Sequence, residues 1–144
     1  DVLIQMFPED APNHVARIKE LVRQGFYDGL KFHRVIDGFM AQTGDPLGNG
    51  TGGSGKNLKA EFNNRPHKRG AVSMARAADP NSADSQFFIC FDDSTFLDRQ
   101  YTVWGQVISG MQAVDKIKRG TGPNGMVYDP DKIISMSVVA DLQK

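Results

Sequence analysis

A chain of 144 residues, 40% of them hydrophobic, is the size of one domain with one substantial core, and it can fold without disulfide or metal staples. Seventeen basic residues balance seventeen acidic ones with no long run of either sign, so the electrostatic footprint of a sequence-independent nucleic-acid or anionic-lipid binder is missing. The single cysteine, Cys90, has no partner for an internal disulfide, and no stretch approaches the roughly 20 apolar residues that span a bilayer.

In chain order, Val2 to Phe7 is apolar enough for a strand. It looks like the interior of a sheet rather than a frayed end, so a segment ahead of Asp1 is expected. Pro8 and Asp10 end the strand and open a helix, with Asp10 as N-cap and Pro12 in the first turn. Val15, Ile18, Leu21 and Val22 follow at helical spacing, and Gly25 marks the stop after about Gln24. Lys31 to Ile36 and Phe39 to Thr43 are predicted strands joined by Asp37-Gly38, a two-residue hairpin signal. Alternation then puts Arg34 on the same face as Phe32 and Ile36, and an arginine on an apolar face demands a reason.

Pro46 to Lys56 is a glycine-rich loop. Ala71 to Met74, Phe87 to Phe91 and Thr102 to Val107 are further strands, the last carrying Trp104 into the core. Met111 to Lys118 is a second short helix, ended by Gly120, Gly122, Pro123 and Gly125, and Ile133 to Val139 is a final strand. Many strands, two separated helices and no βαβ rhythm predict a mainly β, antiparallel barrel or sandwich with helices closing its ends, spanning residues 1–144 as one domain.

Gly50-Thr51-Gly52-Gly53-Ser54-Gly55 matches a dinucleotide fingerprint, and with Lys56 it approaches a P-loop. Asn57 stands where a P-loop needs Ser or Thr, and no well-capped helix follows to meet a phosphate, so the glycines are assigned to a tight ordered loop. His14, His33 and His67 have no metal-site spacing. No serine sits in a nucleophile elbow, and Cys90 in its apolar strand is expected to be inert. Neither a cofactor nor a metal is expected.

What remains is the run from Phe32-His33-Arg34 through Gly38-Phe39-Met40-Ala41-Gln42 to Asp45, then Gly50-Thr51-Gly52-Gly53, Ser85-Gln86-Phe87-Phe88-Ile89 and Phe96-Leu97-Asp98. These strings, in this order over nearly the whole chain, resemble the cyclophilins, peptidyl-prolyl cis-trans isomerases. The resemblance implies an eight-stranded antiparallel barrel capped by two helices. A family strand that precedes the one at Val2 has no counterpart here, which would leave an unpaired edge. It implies Arg34 and Gln42 as catalytic residues, Phe39, Met40, Phe88 and Leu97 as the proline pocket, and Phe96 and Tyr101 at its rim. Ala75, Arg76 and Ala77 would form the backbone edge along which a peptide lies, bordered by Gln86.

Physical chemistry supports the same residues. Rotation about a prolyl bond breaks no bond but must cross a barrier near 20 kcal/mol, and at the twisted state the prolyl nitrogen regains its lone pair. A fixed cation beside that nitrogen stabilises the transition state more than either planar isomer. Phe96 stands where many relatives have tryptophan and Tyr101 where many have histidine. With the loop between Met74 and Ser85, both resemble the bacterial form, and the missing indole donor at Phe96 predicts weak binding of the cyclic peptide cyclosporin. The expected partners are Pro-containing peptides and folding proteins, met by a soluble cytoplasmic monomer. A non-catalytic peptide-binding module or chaperone on the same fold is the rival reading.

Overall fold

The computed structural model describes residues 1–142. Strands β1 (Leu3–Met6), β2 (Arg34–Ile36), β3 (Met40–Thr43), β4 (Ala71–Met74), β5 (Phe87–Cys90) and β6 (Val103–Ser109) form one antiparallel sheet, ordered β1-β6-β4-β5-β3-β2. Alternation along the strands gives the sheet two faces. Val35, Ala41, Val72, Phe87, Ile89 and Trp104 belong to the main core, where the Trp104 ring meets Phe87 edge-on with centroids 5.5 Å apart. Met40, Ala71, Phe88 and Cys90 pack into a second, smaller cluster. That second face carries the site.

Helix α1 (Pro12–Arg23) covers the main core with Val15, Ile18, Leu21 and Val22, each buried and each contributing about 2 kcal/mol. Its N-cap differs from the sequence expectation. Ala11 occupies the position, and Glu61 accepts from the backbone N–H groups of Asn13 and His14 at 3.2 and 2.8 Å. Asp10 is held instead by Arg65 Nε at 2.8 Å. At the other end Gly25, at φ 72°, donates to the Val22 carbonyl while Phe26 donates to that of Leu21, which is a Schellman stop.

Three further expectations need correction. Ile36 pairs with Met40, so the β2–β3 connection has three residues, Asp37, Gly38 and Phe39, and Phe39 lies in the turn rather than in the strand. The second helix, α2 (Met111–Val114), stops early: Lys116 and Ile117 donate only three residues back, to Ala113 and Val114, and beyond them the Arg119 guanidinium takes the carbonyls of Asp115 and Ile117. No strand forms over Ile133 to Val139. Ile133 exchanges hydrogen bonds with Gly29 and Leu30, Met136 N–H goes to Asp28, and Val139–Leu142 turns into α3. The described residues therefore hold six strands rather than eight, in a sheet that does not close, with β1 and β2 at its edges.

All three histidines are buried, and burial holds each ring below its ordinary value of 6.5 despite the carboxylates Glu61, Asp45 and Asp98 that act in the opposite sense. The unfolded chain takes up protons near pH 6.5 while the folded chain does not, so this contribution to stability is full above that pH and is lost as pH falls below it. Scanning calorimetry should find Tm level between about pH 7 and 8 and declining below about pH 6.5, before the carboxylates titrate. A Tm unchanged down to about pH 5 would contradict this.

Candidate active site

Arg34 opens β2 opposite Gln42 of β3, and the reason for an arginine on this face is visible in its partners. Its Nε donates to the Asn124 carbonyl at 2.9 Å and its Nη1 to Gln42 Oε1 at 3.1 Å. Among the described residues no carboxylate forms a salt bridge with it, which removes the ordinary buried ion pair as an explanation. The half-buried guanidinium is aimed by neutral acceptors and keeps Nη2 unengaged among those residues.

The chain of bonds continues outward. Gln42 Nε2 donates to Gln86 Oε1 at 2.8 Å, and Gln86 Nε2 donates to the carbonyls of Gly50 and Gly52 at 3.1 and 2.8 Å. The glycine loop is in turn wrapped around two carboxylates. Asp45 accepts from the N–H groups of Leu47, Asn49 and Gly50, and Asp84 from those of Ser54 and Gly55. A Cβ on Gly52 would fall 2.1 Å from Asp45 Oδ1, and one on Gly53 2.4 Å from Asp84 Oδ2, so bare backbone is required at both positions. Burial pulls the Asp45 carboxyl up, but the backbone N–H groups of Leu47, Gly52, Asn49 and Gly50 together hold it below its ordinary value. The loop is a carboxylate cradle, and its backbone donors are spent on the protein itself.

Beside Arg34 lies the apolar cluster. Met40 and Phe88 form a buried floor, and Phe39, Leu97, Tyr101 and Ala75 are half-buried around it. Phe96 is 67% exposed and packs at a tilt against Phe39 with centroids 5.6 Å apart, so it forms a rim rather than a floor. Cys90 lies beneath, its thiol pushed up to about 12 by burial, which makes it inert.

A groove of about 430 Å³ adjoins this cluster, lined by Gln42, Gln86, Gly52, Ala75, Arg76 and Ala77 among others. Arg76 turns its side chain away, onto the Tyr101 ring at 4.6 Å and the Gln100 carbonyl at 2.7 Å. Its backbone N–H and C=O have no hydrogen-bond partner among the described residues, which leaves a short edge free for an extended segment. The twelve residues picked out from the sequence thus fall into a guanidinium–amide chain, an apolar pocket and a backbone edge, with Ala75 shared by the last two. Sequence reasoning missed Asn124, Asp45 and Asp84. The only local signal was the clustering of glycines around them.

Known proteins resemble this chain in sequence and fold. The family model for "Cyclophilin type peptidyl-prolyl cis-trans isomerase/CLD" matches residues 1–138. A probable peptidyl-prolyl cis-trans isomerase of Brucella suis is 56% identical over an alignment of 154 positions, covering 98% of this chain and 79% of that protein. A peptidyl-prolyl cis-trans isomerase of Helicobacter pylori is 47% identical, covering 89% and 80%. Among solved structures, a cyclophilin from Hirschia baltica superposes with TM-score 0.85 at 33% identity, covering 97% of this chain and 70% of that one. The Cryptosporidium parvum cyclophilin-type isomerase crystallised in the presence of the dipeptide Ala-Pro gives 0.86 at 29% identity, covering 94% and 90%. With family model, sequence identity and fold in agreement over nearly the whole chain, this chain belongs to the cyclophilin-type peptidyl-prolyl cis-trans isomerases.

Proposed function

We propose that this isomerase turns X-Pro bonds by seating the proline ring on Met40 and Phe88, between Phe39, Leu97 and Tyr101, and directing Arg34 at the prolyl nitrogen. The observation that carries the reading is a guanidinium with no carboxylate partner, aimed by Asn124 and Gln42 at the edge of an apolar pocket. As the bond twists, the nitrogen becomes a hydrogen-bond acceptor that exists in neither planar isomer, so the Arg34 bond forms where it lowers the barrier. Gln42 and the free backbone edge of Arg76 hold the segment before proline, with Ala77 and Gln86 bordering it. One side of the bond is then fixed while the other rotates.

A barrier near 20 kcal/mol gives about 0.01 turnovers per second, and about 100 per second needs a reduction of about 5–6 kcal/mol. A preorganised charged donor supplies about 2.7–4 kcal/mol of this, and orientation supplies the rest. A protease-coupled assay on an Ala-Pro peptide tests the reading, with fast, enzyme-concentration-dependent isomerisation expected. A folded chain that binds the peptide without accelerating it would support the peptide-binding module instead.

Cyclosporin affinity belongs to the same proposal. The exposed phenyl of Phe96 has no N–H to offer a ligand, so calorimetry should give a Kd well above the nanomolar range, and Phe96→Trp should tighten it about tenfold. A nanomolar Kd for the parent would refute this. The reading extends to Pro-containing folding chains as substrates and to a monomer in a bacterial cytoplasm. The Brucella and Helicobacter relatives support a bacterial source, and the balance of seventeen charges of each sign suits neutral peptides.

A further inference from the structure

Beneath the pocket a buried histidine stands in a constellation that the proposed mechanism does not use. His67 is fully buried, with Nδ1 3.0 Å from Asp98 Oδ1 and Nε2 2.9 Å from Ser73 Oγ. The connectivity is that of a serine–histidine–carboxylate triad. Ser73 is itself fully buried, so it cannot attack a substrate and hydrolysis is excluded. The polar atoms instead fix the ring. Asp98 Oδ1 also accepts the His67 backbone N–H at 2.7 Å, which pins that oxygen as an acceptor. The ring must then carry its proton on Nδ1 and present the Nε2 lone pair to the Ser73 hydroxyl.

The ring so fixed touches the pocket directly. It lies nearly parallel to Phe88, at 16° with centroids 6.1 Å apart, and meets Tyr101 edge-on at 6.4 Å. Phe88 and Tyr101 in turn meet edge-on at 5.8 Å, which closes a three-ring cluster. Ser73 is also the strand partner of Phe88, so backbone register and ring stacking act on the same residue. We propose that Asp98 and His67 are a positioning pair: Asp98 fixes the His67 ring, and that ring fixes the faces of Phe88 and Tyr101 against which a substrate proline packs. This rests on the pocket reading above and names the residues that set its shape. Burial supports it by holding His67 below its ordinary value, which favours the neutral ring.

Two experiments test the pair. In the intact protein, the imidazole nitrogen resonances of His67 are followed by NMR while an Ala-Pro peptide is added. They should shift and saturate together with resonances of Phe88 and Leu97. In the isomerisation assay, Asp98→Ala should lower kcat/KM about tenfold, because a small displacement of a pocket wall is costly in rate. Asp98→Asn should stay close to the parent, since the His67 backbone N–H still holds its side-chain oxygen as the acceptor. A peptide that moves Phe88 and Leu97 but leaves His67 still would overturn the inference, as would Asp98→Ala with lowered Tm but parental kcat/KM. A peptide that moves none of the three would instead bring down the pocket reading, and the inference with it.

Discussion

Replacing Arg34 with alanine should cut kcat/KM for an Ala-Pro peptide by about two to three orders of magnitude, the range seen when one preorganised donor to a developing charge is removed. The loss should fall on kcat, because in the proposed mechanism the guanidinium acts on a lone pair that exists only in the twisted state, whereas the apolar cluster of Met40 and Phe88 would hold the proline ring in every state. Folding should survive. Arg34 lies on the edge strand β2, and its partners, one carbonyl and one amide oxygen, can turn to water. Arg34→Lys should recover part of the rate, since it keeps a charge but loses the planar fork that meets Asn124 and Gln42 together. Turnover by protease-coupled assay, with circular dichroism to establish the fold, decides the matter. A folded Arg34→Ala variant within about threefold of the parent would mean that desolvation and clamping alone carry the reaction.

Residues whose role depends on their own strand or helix were legible in the sequence. Alternation placed Met40 and Gln42 on one face of their strand and Arg34 with Ile36 on one face of its own, while the Arg34–Gln42 pairing came from the three-residue turn; helical spacing found the buried stripe of α1. The Schellman stop at Gly25 and the burial of Trp104 and Cys90 followed from equally local signals. The larger misses involve groups distant in sequence, while the β2–β3 turn and the end of α2 were misjudged locally. Glu61 caps a helix that begins 49 residues before it, displacing the local candidate Asp10, and Asn124 reaches Arg34 across 90 residues. The final strand failed for a related reason. Alternation marks a segment that could join a sheet, but a ladder also needs a neighbouring edge in register, and Ile133 spends its backbone bonds on Gly29 and Leu30 instead. The resemblance to the cyclophilins picked out residues that the fold brings together, yet it did not reveal what holds them. That support lies in carboxylates under the glycine loop and the rings under Phe88.

The largest stability effect is expected at one of those carboxylates. Asp45 is 1% exposed and accepts from Leu47, Asn49 and Gly50 N–H at 2.8, 3.0 and 2.6 Å. Asp45→Ala leaves these donors without an acceptor at about 1–3 kcal/mol each where they stay buried. Part of the loop can turn to water, so a net loss of about 3 kcal/mol, or about 10 °C in Tm, is expected. The rate should fall as well. Gly50 and Gly52 carry the carbonyls that anchor Gln86, Gln86 anchors Gln42, and Gln42 aims Arg34, so a loosened loop reaches the guanidinium through three hydrogen-bonded steps. A drop of about tenfold in kcat/KM is consistent with a small misplacement of a catalytic group. Asp45→Asn should be intermediate in both measures, because its amide keeps one acceptor oxygen but turns an N–H₂ toward backbone donors. Calorimetry and the isomerisation assay on the same three proteins separate the possibilities. Lost stability with parental turnover would show that Gln86 and Gln42 hold Arg34 without the loop, and unchanged stability would show that the cradle is held by its glycine geometry rather than by the charge it encloses.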